Sequence, residues 1–191
     1  MKKINPNWLT ASRMIVFGPL CLLLLCINTQ KSLIYCFGAM FLAVATDFAD
    51  GKVARATGQV TNFGKIFDPL CDSAYLAMIW LGFLKLEWIL IWIVPIFLVR
   101  DQIVAYIRIY LSRQQVIMSA RWSGKVKLAV QVFVQMTVVL LHIILPESEM
   151  LNKIQFSLIF VAAAITTYSL YDYFKGFCQK VEISSFFKLT A

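Results

Sequence analysis

Residues 128–145, LAVQVFVQMTVVLLHIIL, form an apolar run of 18 residues without a single acidic residue, lysine or arginine. A helix rises about 1.5 Å per residue, so this run covers most of the roughly 30 Å hydrocarbon core of a membrane. Five further apolar runs occupy residues 14–27, 33–46, 73–84, 88–99 and 154–170. Several are too short to span alone, so we expect them to continue as helix through polar residues. The pattern predicts an all-α polytopic membrane protein, with six transmembrane helices in one bundle.

The composition of the whole chain supports this interpretation. Of its 191 residues, 60% are hydrophobic and only 15% are charged. Soluble domains are about half apolar, and disordered chains have low hydrophobicity, so both classes are excluded. Six helices with short connections use nearly the full length, and we therefore expect residues 1–191 to form a single membrane domain.

The basic residues predict the orientation of this domain. Eighteen Lys and Arg against ten Asp and Glu give a net charge of +8. If the N-terminus lies in the cytoplasm, only Lys31, Lys85 and Lys153 fall on the outer side, as the positive-inside rule requires. We expect a multi-pass protein of the bacterial inner membrane with both termini cytoplasmic. The positive charge then follows from topology, and no nucleic-acid partner is needed to explain it.

Four aspartates are concentrated between the second and third apolar runs. Asp47 and Asp50 are three residues apart and Asp68 and Asp72 four apart, so each pair projects from one face of a helix. Two antiparallel helices would bring the four carboxylates together, where their repulsion calls for a cation. Hard oxygen ligands select Mg²⁺, Mn²⁺ or Ca²⁺. The alternative is that these aspartates are solvated charges at helix ends.

Small residues and one arginine lie between the two pairs. Gly51, Ala54 and Gly64 allow a bulky ligand to approach the backbone, and Arg55 is suited to bidentate contact with a phosphate. Carboxylates, a metal ion and an arginine together favour a diphosphate substrate.

The stretch that contains these residues resembles the signature of a known family. Residues 47–72, DFADGKVARATGQVTNFGKIFDPLCD, match all eight fixed positions of the CDP-alcohol phosphatidyltransferase motif. The motif reads Asp, two residues, Asp-Gly, two residues, Ala-Arg, eight residues, Gly, three residues, Asp, three residues, Asp. The resemblance implies a six-helix membrane enzyme, usually a homodimer among membrane lipids. Such an enzyme transfers a phosphatidyl group from CDP-diacylglycerol to an alcohol and releases CMP.

The resemblance also implies roles for individual residues. Two divalent ions, Mg²⁺ or Mn²⁺, would be held by Asp47, Asp50 and Asp68. Asp72 would be a further ligand, or the base that takes the proton of the acceptor hydroxyl. The CDP-lipid would lie against Gly51, Ala54, Arg55 and Gly64. His142, near the outer end of the fifth run, is expected to be a packing or interfacial histidine.

The acceptor is indicated by other parts of the chain. PNWLTASR at residues 6–13 and TNFGKIFDPLCD at residues 61–72 look most like the phosphatidylglycerophosphate synthase branch, which uses glycerol 3-phosphate. The basic residues expected to bind the acceptor phosphate are Arg108, Lys125 and Lys127, with Arg100 nearby. The alternative is that these residues reflect topology or a patch for anionic lipids.

Departures from the branch pattern keep other acceptors open. Ser73, Ile109 and Leu128 stand where the branch usually has lysine, glutamate and threonine. Inositol phosphate therefore remains an alternative acceptor, while a neutral alcohol fits the basic residues less well. A divalent-cation transporter and a non-catalytic lipid-binding scaffold are rivals from other classes. A transporter needs a pathway to both faces, whereas the carboxylates here belong to one side.

Overall fold

The computed structural model describes residues 11–57, 64–113, 121–145 and 149–180, with side chains except at 48–57, 64–66, 112 and 180. Within these ranges the chain is helical and contains no β-strand, which confirms the all-α prediction. The six helices are α1 (Arg13–Ile27), α2 (Gln30–Thr57), α3 (Gly64–Lys85), α4 (Ile93–Arg113), α5 (Trp122–Ile144) and α6 (Glu149–Lys180).

The helices extend beyond the apolar runs, as predicted from runs that are too short to span a membrane alone. Helix α2 continues past the second run through Asp47 and Asp50. Helix α4 likewise continues past the fourth run through Arg100 and Asp101. Charged residues are therefore carried on regular helices, which fixes the direction in which each side chain leaves the backbone.

The fourth run departs from the prediction at its start. Residues 88–99 were expected to be helical throughout, but α4 begins only at Ile93, after a turn. Helix α3 is closed by Glu87 in the left-handed region (φ 59°), and the Trp88 N–H donates to the Phe83 carbonyl at 2.9 Å. This arrangement is a Schellman-type helix end, which caps free carbonyls but redirects the chain. Apolar character alone could not reveal it.

Helix α1 opens with a π-helical turn and packs closely on α3. The π-helical turn covers Arg13–Phe17 and is followed by Pro19, which has no N–H to continue the α-helical ladder. At Gly18 a Cβ atom would lie 2.6 Å from the Met78 sulfur. Glycine at this position therefore allows the two helix backbones to approach.

The helices contact one another in a closed ring. Helix α1 lies between α2 and α3, α2 contacts α5, α5 contacts α6, α6 contacts α4, and α4 returns to α3. Buried apolar side chains fill the ring, including Trp80 stacked on Phe97 with ring centroids 4.5 Å apart. Large apolar side chains such as Leu23 and Phe160 are exposed on the outside, at 63% and 70%. An apolar outer surface of this kind indicates that the bundle is surrounded by lipid rather than by water.

Two helices in the described part of the chain, α5 and α6, are long and apolar enough to cross a membrane, and α1 is a shorter apolar helix. The membrane nature of the chain is supported by these helices. The count of six spanning helices and the single domain over residues 1–191 remain predictions.

Polar side chains gather at the two ends of the bundle. We call one the charged end; it comprises Arg13, Asp47, Asp72, Arg100, Asp101, Arg108, Arg121, Lys127, Asp172 and Tyr173. We call the other the Trp88 end; it comprises Asn28, Gln30, Trp88, His142 and Gln155.

Candidate active site

Two signature aspartates meet at the charged end, where α1, α2 and α3 come together. Arg13 places Nη1 2.6 Å from Asp47 Oδ1 and 2.7 Å from Asp72 Oδ1. The arginine side chain is 7% exposed, whereas that of Asp47 is 50% exposed and that of Asp72 20%. One cation therefore bridges carboxylates from two different helices, with one carboxylate facing the surroundings.

The remaining signature residues lie on the same helices. Asp68 is one turn before Asp72 on α3, and its charge acts on the Asp72 carboxylate. Asp50, Gly51, Ala54 and Arg55 belong to α2 and Gly64 begins α3, but their side chains lie outside those described. Among the side chains that are described, no three acidic, histidine or cysteine groups form a metal-binding cluster. The four-aspartate metal site thus remains a prediction.

A second group of charges surrounds Asp101 between α4, α5 and α6. Lys127 Nζ lies 2.8 Å from both carboxylate oxygens of Asp101, and Arg100 Nη1 lies 2.9 Å from Oδ1. Arg100 also donates from Nη2 to Ser169 Oγ at 2.6 Å. The Lys127 side chain is 3% exposed. Lys127, expected to contact the acceptor phosphate, is therefore already paired with a carboxylate.

A third group forms around the end of α6. Arg108 Nη2 donates to Tyr173 Oη at 2.6 Å, and the Arg121 backbone N–H donates to the same oxygen at 3.2 Å. Arg121 Nε pairs with Asp172 Oδ2 at 3.2 Å. In the part of the chain that the structure describes, Arg108 makes no ion pair. Lys125, also expected at the acceptor site, is exposed near the start of α5.

The second and third groups meet at Tyr173, because the Arg100 guanidinium carbon lies 5.2 Å from the centre of its ring. Of the second group, Lys127 lies within electrostatic range of Asp72. The arrangement can neutralise several negative charges at once, and the role of Asp72 as a base stays a prediction.

Sequence reasoning assigned no site role to five residues of the charged end: Arg13, Asp101, Arg121, Asp172 and Tyr173. Arg13 lies in the quoted stretch at residues 6–13, and a charge directly before an apolar run was the available signal. Asp101 follows Arg100 in the sequence, but nothing there indicated that Lys127 would bind it. Tyr173 lies in an ordinary aromatic segment and carried no signal.

Comparison with known proteins identifies the family of this chain. The sequence model of the CDP-alcohol phosphatidyltransferase family matches residues 3–170. The chain belongs to this family. The resemblance inferred from residues 47–72 is therefore confirmed. Membership identifies an enzyme of phospholipid biosynthesis, which decides against the cation transporter and the lipid-binding scaffold.

Curated relatives of this phosphatidyltransferase carry a common name, CDP-diacylglycerol–glycerol-3-phosphate 3-phosphatidyltransferase. The relative from Rickettsia felis is 31% identical over 182 residues, which cover 92% of this chain and 95% of the relative. The relative from Rickettsia typhi is 31% identical over 178 residues, covering 90% and 95%. The relative from Mycoplasma genitalium is 30% identical over 147 residues, covering 68% of this chain and 62% of the relative.

Phosphatidyltransferases of this family generally depend on divalent metal ions. The carboxylates of this chain fit such an ion in their chemistry, because Asp47 and Asp72 supply hard oxygen donors. Their placement also fits a cation. A single nitrogen, Arg13 Nη1, lies within 2.7 Å of both Asp47 Oδ1 and Asp72 Oδ1, so the two oxygens are close enough to share one positive charge.

Proposed function

We propose that this protein transfers the phosphatidyl group of CDP-diacylglycerol to glycerol 3-phosphate and releases CMP. The observation that carries the proposal is the aspartate pair adjoining buried basic side chains in a member of the phosphatidyltransferase family. The shared name of the relatives from Rickettsia supports glycerol 3-phosphate as the acceptor.

The donor would bind at the carboxylates of α2 and α3. Mg²⁺ or Mn²⁺, and by the family motif two such ions, would be held by Asp47, Asp50, Asp68 and Asp72. When bound, these ions neutralise the diphosphate and make CMP a better leaving group. Gly51, Ala54, Arg55 and Gly64 would line the CDP-lipid site.

Asp72 is the proposed base. Its carboxylate takes the proton of the acceptor hydroxyl while the acceptor oxygen bonds to the lipid-side phosphorus. The bond from that phosphorus to the CMP oxygen breaks, and CMP leaves with the electron pair. The charge of Lys127 acts on Asp72, which supports a place for Asp72 between the donor and the acceptor.

The acceptor phosphate would bind among Arg108, Lys125 and Lys127. These residues differ in what already neutralises them. Lys127 shares Asp101 with Arg100, whereas Arg108 has a phenol as its partner and no carboxylate among the described residues. Arg108 is therefore the best placed of the three to pair with the doubly charged phosphate.

The enzyme is proposed to span the bacterial inner membrane six times as a homodimer, with its termini and active site cytoplasmic. The exposed apolar side chains around the bundle support the spanning helices. The basic residues at the charged end, among them Arg108, Arg121 and Lys127, support a cytoplasmic position for that end.

The experiment uses purified protein, CDP-diacylglycerol, and Mg²⁺ or Mn²⁺. Glycerol 3-phosphate, inositol phosphate, inositol, serine and choline are supplied one at a time, and CMP and the lipid product are measured. We expect CMP release with glycerol 3-phosphate. Release with inositol phosphate alone would transfer the proposal to that acceptor. If no acceptor gives CMP above the rate with water, the proposed function is wrong.

A further inference from the structure

We propose that Tyr173 is a positioning residue that holds Arg108, which has no carboxylate partner among the described residues, for the phosphate of the acceptor. This inference rests on the proposed function and adds a residue on α6 to it.

Tyr173 is enclosed by basic groups from two other helices. Its side chain is fully buried, and its hydroxyl oxygen accepts hydrogen bonds from Arg108 Nη2 at 2.6 Å and from the Arg121 backbone N–H at 3.2 Å. The guanidinium carbons of Arg100 and Arg108 lie 5.2 Å and 5.3 Å from the centre of its ring. One aromatic side chain therefore orients two arginines, by a hydrogen bond and by cation–π contact.

The chemistry of the phenol is what separates Arg108 from its neighbours. Lys127 and Arg121 are held by carboxylates, those of Asp101 and Asp172. A carboxylate neutralises its partner and would compete with a phosphate, whereas a neutral hydroxyl fixes the guanidinium group and leaves its charge available. Arg108 Nε is buried and has no hydrogen-bond partner among the described residues. Among the described residues Arg108 thus keeps a charge that no carboxylate pairs, and this charge is the one assigned to the anionic ligand.

The position of Tyr173 is itself fixed by the start of α5. Arg121 Nη1 donates to the Asp172 carbonyl at 2.6 Å, and Ser123 Oγ donates to the Asp172 carboxylate at 2.5 Å. At Gly124 a Cβ atom would lie 2.8 Å from the Tyr173 hydroxyl oxygen and 3.2 Å from ring carbon Cε2. Glycine at this position lets the phenol reach Arg108, so Gly124 is part of the same arrangement.

The test removes only the hydroxyl group. In Tyr173→Phe the ring and its packing remain, but Arg108 loses its hydrogen bond. We expect the KM for glycerol 3-phosphate to rise about tenfold, the size expected for a lost hydrogen bond to a charged group. The KM for CDP-diacylglycerol and kcat should stay within about twofold, since the donor is bound elsewhere.

The matched control is Tyr171→Phe, on the same helix. Its side chain is 64% exposed, so removal of its hydroxyl should leave both KM values unchanged. A second variant, Gly124→Ala, displaces the Tyr173 ring without altering it. It should raise the KM for glycerol 3-phosphate with little effect on that for CDP-diacylglycerol. Melting temperatures in detergent show that each variant is folded.

Three results would overturn the proposal: an unchanged KM for glycerol 3-phosphate in Tyr173→Phe, a parallel rise for both substrates, or the same rise in Tyr171→Phe. Failure of the proposed function would give a different result from these three. The unsubstituted enzyme would then release no CMP with any phosphorylated alcohol. The proposed role of Tyr173 would be refuted with it. If inositol phosphate is the working acceptor, its KM is the one expected to rise.

Discussion

The charged end and the Trp88 end of the bundle both bury polar side chains, but they pair them differently. At the Trp88 end, His142 stacks on Trp88 with ring centroids 3.6 Å apart, and its Nε2 lies 2.6 Å from Gln155 Oε1. Gln155 Nε2 in turn donates to the Trp88 carbonyl at 2.6 Å. These groups join α5, α6 and the turn before α4 by stacking and hydrogen bonds, which agrees with the packing or interfacial role predicted for His142.

At the charged end, most of the side chains are ions. Within each local group, the numbers of positive and negative side chains are unequal. Arg13 is shared by two aspartates, Asp101 is shared by Lys127 and Arg100, and Arg108 rests on a neutral phenol. Buried ion pairs add little net stability, so this arrangement is the candidate for a binding site in the described part of the chain. The comparison teaches that the Trp88 end joins its helices by stacking and neutral hydrogen bonds, whereas the charged end holds the ionic groups to which binding and chemistry are assigned by proposal.

The largest effect should follow from Asp72→Asn, which keeps the shape of the side chain and removes the proton acceptor. We expect turnover to fall by about 10² to 10⁴ while CDP-diacylglycerol binding persists. Asp50→Asn should instead weaken metal and nucleotide binding together, and added Mn²⁺ or Mg²⁺ should partly restore it. Donor affinity and CMP release are measured across a metal titration. If Asp72→Asn loses donor binding and recovers with excess metal, Asp72 is a ligand rather than the base.

Asp101→Asn should have the largest effect on stability. It leaves Lys127 and Arg100 buried without their carboxylate, and breaking a buried ion pair costs about 3–5 kcal/mol. The comparison variant is Asp172→Asn, whose side chain is 25% exposed, against 13% for Asp101. Thermal melting in detergent should show a clearly greater loss for Asp101→Asn. Equal losses of stability would mean that the contribution of these ion pairs does not depend on how deeply they are buried.

Arg108→Gln should change substrate recognition more than stability. Charge-assisted contacts to a phosphate predict a rise of about ten- to hundredfold in the KM for glycerol 3-phosphate, with much less change for CDP-diacylglycerol. Lys127→Gln should show a similar preference, but with lost stability because Asp101 then keeps only Arg100 as a cationic partner. Lys125→Gln, at an exposed position, should have a smaller effect than either. Steady-state kinetics with each substrate varied in turn separates these cases, and equal weakening of both substrates would point to a general electrostatic role.

The smallest effect should come from the Trp88 end. His142→Asn removes the ring stacked on Trp88, and we expect a loss of about 1 kcal/mol in stability. Both KM values and kcat should be unaltered, because this residue is at the far end of the bundle from the carboxylates. A change in either KM would show that the Trp88 end affects substrate binding, which would contradict the distinction drawn between the two ends.

The sequence was sufficient for the helices and for the family. Apolar runs predicted the all-α class and the continuation of helices into charged segments, because periodicity and burial act within a short stretch of chain. The signature spacing predicted the family, because its fixed positions all lie within residues 47–72. The start of α4 was mispredicted since the turn after Glu87 depends on backbone hydrogen bonds that apolar composition does not encode.

The partners of the charged residues were decided by tertiary structure alone. Arg13 reaches Asp47 and Asp72 because α1 packs between α2 and α3. Arg108 reaches Tyr173, 65 residues further along the chain, because α4 lies against α6. Local sequence sets the face on which each side chain leaves its helix, but which faces meet depends on how all the helices pack together. The sequence by itself therefore determined which chemical groups the candidate site contains, and only the packing of the helices decided which of the described charges are paired with one another.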